Sequence, residues 1–155
     1  MTNVEFELAE QFALYTRKHC FITGKAGTGK TTFLKSLKER SPKRMIVVAP
    51  TGVAAINAGG VTIHSFFQLS FAPQIGNESE QNRQMRFSKE KINIIRSLDL
   101  LVIDEISMVR ADILDAIDKV MRRFKNKRKP FGGAQLLMIC LLYTSPSPRD
   151  RTRSR

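Results

Sequence analysis

Residues Gly24 to Thr31 read Gly-Lys-Ala-Gly-Thr-Gly-Lys-Thr, which satisfies G-x-x-x-x-G-K-[ST] at every fixed offset. The apolar run Cys20, Phe21, Ile22 precedes it as a short buried strand would. Thr32 to Glu39 follow with Phe33, Leu34 and Leu37 at helical spacing. A strand, a glycine loop and a helix in that order form a cradle for a polyphosphate. Glycines let backbone N–H groups approach the phosphates from several directions, and the helix turns its positive dipole end toward them. The candidate nucleotide contacts are therefore Gly24, Ala26, Gly27, Thr28, Gly29, Lys30, Thr31 and Thr32, with ATP as the expected ligand. Lys30 is expected on the β and γ oxygens and the Thr31 hydroxyl on Mg²⁺.

Hydrolysis also needs a carboxylate for the metal and a base for water. Asp99 to Asp104 reads Asp-Leu-Leu-Val-Ile-Asp, a buried strand ending in an acid, and Glu105 follows at once. Asp104 takes the metal role and Glu105 the role of orienting or deprotonating water. Catalysis is thus assigned to Glu105 and Lys30.

Elsewhere the pattern alternates strand and helix. Thr2-Asn3-Val4-Glu5 has capping-box spacing, and Val4, Leu8 and Phe12 with Ala9 and Ala13 predict a helix to about Lys18. Met45 to Ala49 is a β-branched strand, and Val53 to Ala58 a helical turn or two. Thr62 to Leu69 is aromatic-rich without a clear period. Residues 72–89 suit an exposed excursion, with a helix from about Lys89 to Ser97. Ile113, Ile117, Val120 and Phe124 mark an amphipathic helix, and a strand begins at Gln135. The expected fold class is α/β: a parallel sheet covered by helices on both faces, built as one P-loop NTPase lobe.

The 155 residues carry 26 Lys plus Arg against 14 Asp plus Glu, a net charge of +12, so a polyanion is a natural partner. From Lys119 to Lys129 seven basic residues occur without an acid, which reads either as a solvated helix end or as a phosphate contact. Cys20 and Cys140 lie far apart with no C-x-x-C spacing. That argues against a disulfide framework or zinc site and fits a reducing cytoplasmic setting. The longest apolar run, Leu136 to Tyr143, is too short to span a bilayer, so no membrane partner is expected. A monomer is expected.

Four blocks in order carry a resemblance to a known family: Gly24 to Thr32, Ala49-Pro50-Thr51-Gly52-Val53-Ala54-Ala55, Thr62-Ile63-His64-Ser65-Phe66-Phe67, and Val102-Ile103-Asp104-Glu105-Ile106-Ser107-Met108. Over about residues 3 to 139 the chain resembles the Pif helicases of superfamily one, bacterial branch. The resemblance implies a RecA-like first motor lobe and ATP-driven 5′ to 3′ movement on single-stranded DNA, with roles in repair, recombination and telomere or genome maintenance. It implies that Gln11 reads the adenine. It also implies that Thr51, Gly52, Val53 and Asn57, with His64, Ser65 and Phe66, contact the single strand, and that Ser107 couples the two sites. Hydroxyls and turn N–H groups can hold phosphates, while His and exposed aromatics offer stacking faces. One of Phe66 and Phe67 is expected in the core, and His64 reads equally as a DNA contact or a structural histidine.

The pattern breaks after Ile139, where the family continues Gly-Asp-x-x-Gln-Leu. Residues 140–155 form a Ser/Pro/Arg-rich tail that resembles translated sequencing-adapter read-through, and the motor domain is expected to be cut short at 139. Without residues 141–155, four arginines and one aspartate are lost and the net charge is +9. A second lobe with an arginine finger worth roughly a thousandfold in rate is expected to lie outside the chain, leaving it weak in hydrolysis and unable to unwind alone. Two other readings compete: a P-loop ATPase of the AAA type, and a non-catalytic module that binds nucleotide or single strands.

Overall fold

The computed structural model describes residues 4–25, 27, 29–71 and 86–142. The expected excursion over 72–85 and the tail from 143 onward lie outside these residues, as do Ala26 and Thr28. Five strands form one sheet in the order β1-β5-β4-β2-β3, every pair parallel. They are β1 (Cys20–Lys25), β2 (Met45–Ala49), β3 (Val61–Thr62), β4 (Leu100–Ile103) and β5 (Gln135–Leu142). The helices are α1 (Val4–Tyr15), α2 (Lys30–Arg40), α3 (Gly52–Ala58), α4 (Ile63–Phe67), α5 (Lys89–Ser97) and α6 (Ala111–Phe124).

Strand β4 lies between β5 and β2 and is buried on both faces, which explains its unbroken apolar sequence. Its side chains alternate between two cores. Leu100 and Val102 join Leu14, Phe33, Leu34 and Leu37 from α1 and α2. Leu101 and Ile103 join Phe67, Ile95, Ile117 and Met121 from α4, α5 and α6. The two-residue period of the strand thus sorts one apolar run into the two layers of an α/β lobe.

Three boundaries differ from the sequence expectation. Helix α1 ends at Tyr15 instead of Lys18 because the Thr16 hydroxyl donates to the Phe12 carbonyl at 2.7 Å and accepts from the Lys18 N–H, closing the helix. The segment from Thr62 resolves into the end of β3 and α4, whose start is capped by the Thr62 hydroxyl accepting from the Ser65 N–H. Strand β5 continues past Ile139, pairing Cys140, Leu141 and Leu142 with Thr23, Gly24 and Lys25 of β1. These three residues, grouped with the tail by composition, belong to the sheet. Their apolar side chains extend the strand where the family pattern had been expected to break.

Two polar ties fix the N-terminal helix. The buried Glu10 carboxylate accepts from the Ser36 hydroxyl and from Arg40, both at 2.7 Å, joining α1 to α2. At the other end of α1, Gln135 donates to the carbonyls of Phe12 and Lys18 while its Oε1 accepts from Lys43 at 2.6 Å.

Candidate nucleotide and nucleic-acid sites

The segments singled out in the sequence all follow the carboxyl ends of strands: the glycine loop after β1, Thr51 after β2, His64 after β3 and Asp104 after β4. Parallel strands make this inevitable, and the crevice outside that edge is where open α/β sheets bind ligands.

Gly27 and Gly29 adopt φ values of 84° and 91°, and a Cβ built on either meets nothing within 4 Å. Backbone conformation, not crowding, therefore requires glycine at both positions. Gly29 has no side chain to cap α2, so the first N–H groups of that helix stay available to an anion. Thr31 and Thr32 are exposed on its first turn.

Lys30 opens α2 and reaches across the end of β5 to the end of β4. Its ammonium lies 3.1 and 3.2 Å from the two Asp104 oxygens and 3.2 Å from Glu105 Oε1. Asp104 is 1% exposed, and its Oδ1 also accepts from the Glu105 N–H at 3.0 Å. Desolvation acts to lower the Lys30 pKa. The hydrogen bonds and charges of Asp104 and Glu105 outweigh it and leave the pKa above the ordinary lysine value. Glu105 sits in the left-handed region at φ 53°, a conformation that a non-glycine residue adopts at a cost. The short 3₁₀ turn Ile106–Met108 follows, with Ser107 exposed on it.

These features fit a magnesium-bound nucleotide. Lys30 now supplies positive charge to the buried Asp104 carboxylate, and the Asp104 carboxylate and the exposed Thr31 hydroxyl are hard oxygen donors of the kind such a cation takes.

Gln11 lies on α1. It is exposed and stands one residue, or about 100° of helix, round from the buried Glu10. The α1 residues lining the hollow beside Gly24 and Lys25 are Glu5 and Phe6, with Ile22 and Leu141 opposite.

On the second face, Thr51 caps α3 by accepting from the Ala54 N–H at 3.2 Å, and Gly52, Val53 and Asn57 are exposed along that helix. Ser65 is exposed on α4. Phe66 was expected to offer a stacking face and does not. It is 4% exposed, packed edge-on against Phe67 at 4.8 Å, and covered by the Lys91 ammonium at 4.7 Å. Both aromatics belong to the core.

The exposed ring is Phe71, which the sequence reading did not select. It stacks on His64 at 4.4 Å and 12° and is 81% exposed. Together with Pro50, Met108 and Arg110 the pair lines a cleft of about 170 Å³. Desolvation, with Arg110 adding to it, holds the His64 pKa below the ordinary histidine value, and the ring Nδ1 is buried without a hydrogen-bond partner among the described residues. A neutral imidazole stacked on phenyl suits an apolar planar ligand.

Comparison with known proteins agrees with this geometry. The PIF1-like helicase family model matches residues 6–141. The chain is similar to the ATP-dependent DNA helicase PIF1 of Candida albicans, 37% identical over 136 residues, covering 85% of this chain and 15% of that protein. It is also similar to the crystal structure of Bacteroides Pif1 bound to single-stranded DNA (43% identity, TM-score 0.81), covering 98% of this chain and 35% of that one. The crystal structure of Bacteroides sp Pif1 in complex with ADP-AlF4 gives 42% identity and a TM-score of 0.79, with the same coverage of both chains. The chain thus spans about a third of those structures and a smaller share of the Candida protein. With the loop, the Asp104-Glu105 pair and the flanking helices all inside the matched region, the chain belongs to the PIF1-like helicase family.

Proposed function

We propose that the chain through Leu142, the end of β5, is the RecA-like first motor lobe of an ATP-dependent helicase. The parent protein moves 5′ to 3′ on single-stranded DNA in repair, recombination and telomere or genome maintenance. The observation that carries this reading is the Lys30 ammonium shared between Asp104 and Glu105, a charge bridge joining the glycine loop to the end of β4. Crystal structures of related Pif1 helicases hold ADP-AlF4 in one case and single-stranded DNA in another.

In this reading the backbone from Gly24 to Thr32 wraps the polyphosphate of ATP, and Lys30 exchanges its carboxylate partners for phosphate oxygens. Thr31 and Asp104 would hold Mg²⁺, which would supply charge to offset the polyphosphate. Glu105, released from Lys30, accepts a proton from water and fixes its direction of attack. Thr51 to Asn57 hold strand phosphates, while His64 and Phe71 give unpaired bases a stacking surface.

The decisive experiment is binding of a fluorescent ATP analogue to Lys30→Ala. Binding is expected to vanish, and retained binding refutes the nucleotide assignment. In the parent protein, hydrolysis is expected to rise on adding single-stranded DNA. Hydrolysis indifferent to DNA assigns the lobe to another class of P-loop ATPase.

A further inference from the structure

The basic run Lys119 to Lys129 plays no part in the site above, and its C-terminal end lies at the opposite edge of the sheet. Arg17 precedes β1, Lys43 precedes β2, Asp99 precedes β4, and Lys125 and Lys129 lie in the connection from α6 to β5. These residues line a cleft of about 350 Å³ at the amino ends of the strands. Strand β4 alone, at ~3.3 Å per residue, puts roughly 13 Å of sheet between this cleft and Asp104.

Four cations and a single acid face the cleft. Two of the cations are anchored by neutral acceptors, which fix their position without cancelling their charge. Lys43 donates to the carbonyls of Ala13 (2.5 Å) and Thr16 and to Gln135 Oε1, and Lys125 donates to the Arg96 carbonyl at 2.9 Å. No ion pair among the described residues holds Arg17, Lys125 or Lys129. Farther along α6, by contrast, Arg122 is paired with Asp118 at 2.9 Å. The one acid, Asp99, already accepts from the Arg44 N–H at 3.1 Å. Burial pushes both Lys43 and Lys125 below the ordinary lysine value, and Asp99 only partly opposes it.

The loop shape is also specified. Gly132 and Gly133 take φ values of 63° and 86°, and a Cβ on Gly132 would come within 2.6 Å of the Met121 carbonyl oxygen. That tight turn carries Lys129 to the rim, its side chain lying along Gly133.

We propose that this cleft is a second nucleic-acid contact, binding backbone phosphates at the amino edge of the sheet, apart from the single-strand face that follows β2 and β3. Lys125, which keeps two N–H donors after its bond to the Arg96 carbonyl, and Lys129 on the rim offer donors to phosphate oxygens in a preformed concavity, while Lys43, its three donors taken, adds only its charge. Exposed Lys127 and Arg128 beside it continue the charge along a strand of phosphates. The proposal does not rest on the motor reading.

The test is fluorescence anisotropy of a labelled oligothymidylate with the full chain over a range of salt. Arg17→Glu combined with Lys129→Glu changes two side chains that make no hydrogen bond or ion pair among the described residues. It is expected to weaken binding at least tenfold and to lower the slope of log K against log salt by about 1.4, two contacts at ~0.7 each. Binding of the ATP analogue should stay unchanged, which checks the fold. Amine-acetylation footprinting should show Lys129 protected by the oligonucleotide in the unaltered chain. Unchanged affinity and slope in the double variant overturn the proposal, as does an unprotected Lys129. If that occurs while His64→Ala with Phe71→Ala loses binding, only the motor face binds DNA. Displacement of the oligonucleotide by polyglutamate at equal charge concentration also overturns the proposal and reassigns the cleft to an acidic protein segment.

Discussion

Glu105 is held in the left-handed region between a buried carboxylate and a 3₁₀ turn, and its side chain shares Lys30 with Asp104. Glu105→Gln keeps the size of the side chain and removes the base. Nucleotide affinity should stay within a few-fold, while single-turnover hydrolysis in the parent protein falls by about 10² to 10⁴. The aromatic residues separate in the same way. Phe71→Ala removes an exposed ring and should weaken oligothymidylate binding by about 1 to 3 kcal/mol with little change in melting temperature. Phe66→Ala empties a core site and should cost about 3 to 5 kcal/mol of stability in denaturant titration. A Phe66→Ala protein of normal stability would show that the ring does not support the core.

Two glycines show how elements, and not single contacts, set the demand for a residue type. Gly29 starts α2 at φ 91° in open space, so Gly29→Ala should cost about 1 to 2 kcal/mol through backbone strain and disturb nucleotide binding. Gly60 lies between α3 and β3, where an added Cβ would come within 2.2 Å of the Val47 carbonyl oxygen of β2. Gly60→Ala should therefore force the β2–β3 pairing apart and cost at least about 1 to 3 kcal/mol, with nucleotide affinity retained in whatever remains folded. Thermal melts with and without the ATP analogue distinguish the two mechanisms.

Across the whole molecule, His64 couples stability to pH. Its folded pKa lies below the unfolded value near 6.5, so the unfolded chain binds the proton first as pH falls. The contribution is present above that value and is lost on acidification toward the folded pKa. Between about pH 7.5 and 5.5 the melting temperature should therefore fall more steeply for the unaltered chain than for His64→Gln. Equal slopes would remove His64 as the source.

The glycine loop, the Asp104-Glu105 strand end and the alternation of helices and strands were legible in the sequence. They are local: a loop that wraps phosphate needs glycines at fixed offsets, and a doubly covered strand must be apolar throughout. Sequence spacing could not put Lys30 against residues 74 and 75 positions away, because only strand order brings the ends of β1 and β4 together. Nor could it decide which of Phe66, Phe67 and Phe71 faces solvent, since a five-residue helix has no period long enough to define a buried side. The amino-edge cleft was invisible because its cations come from three separate connections, and only the assembly of the parallel sheet gathers their charge in one place.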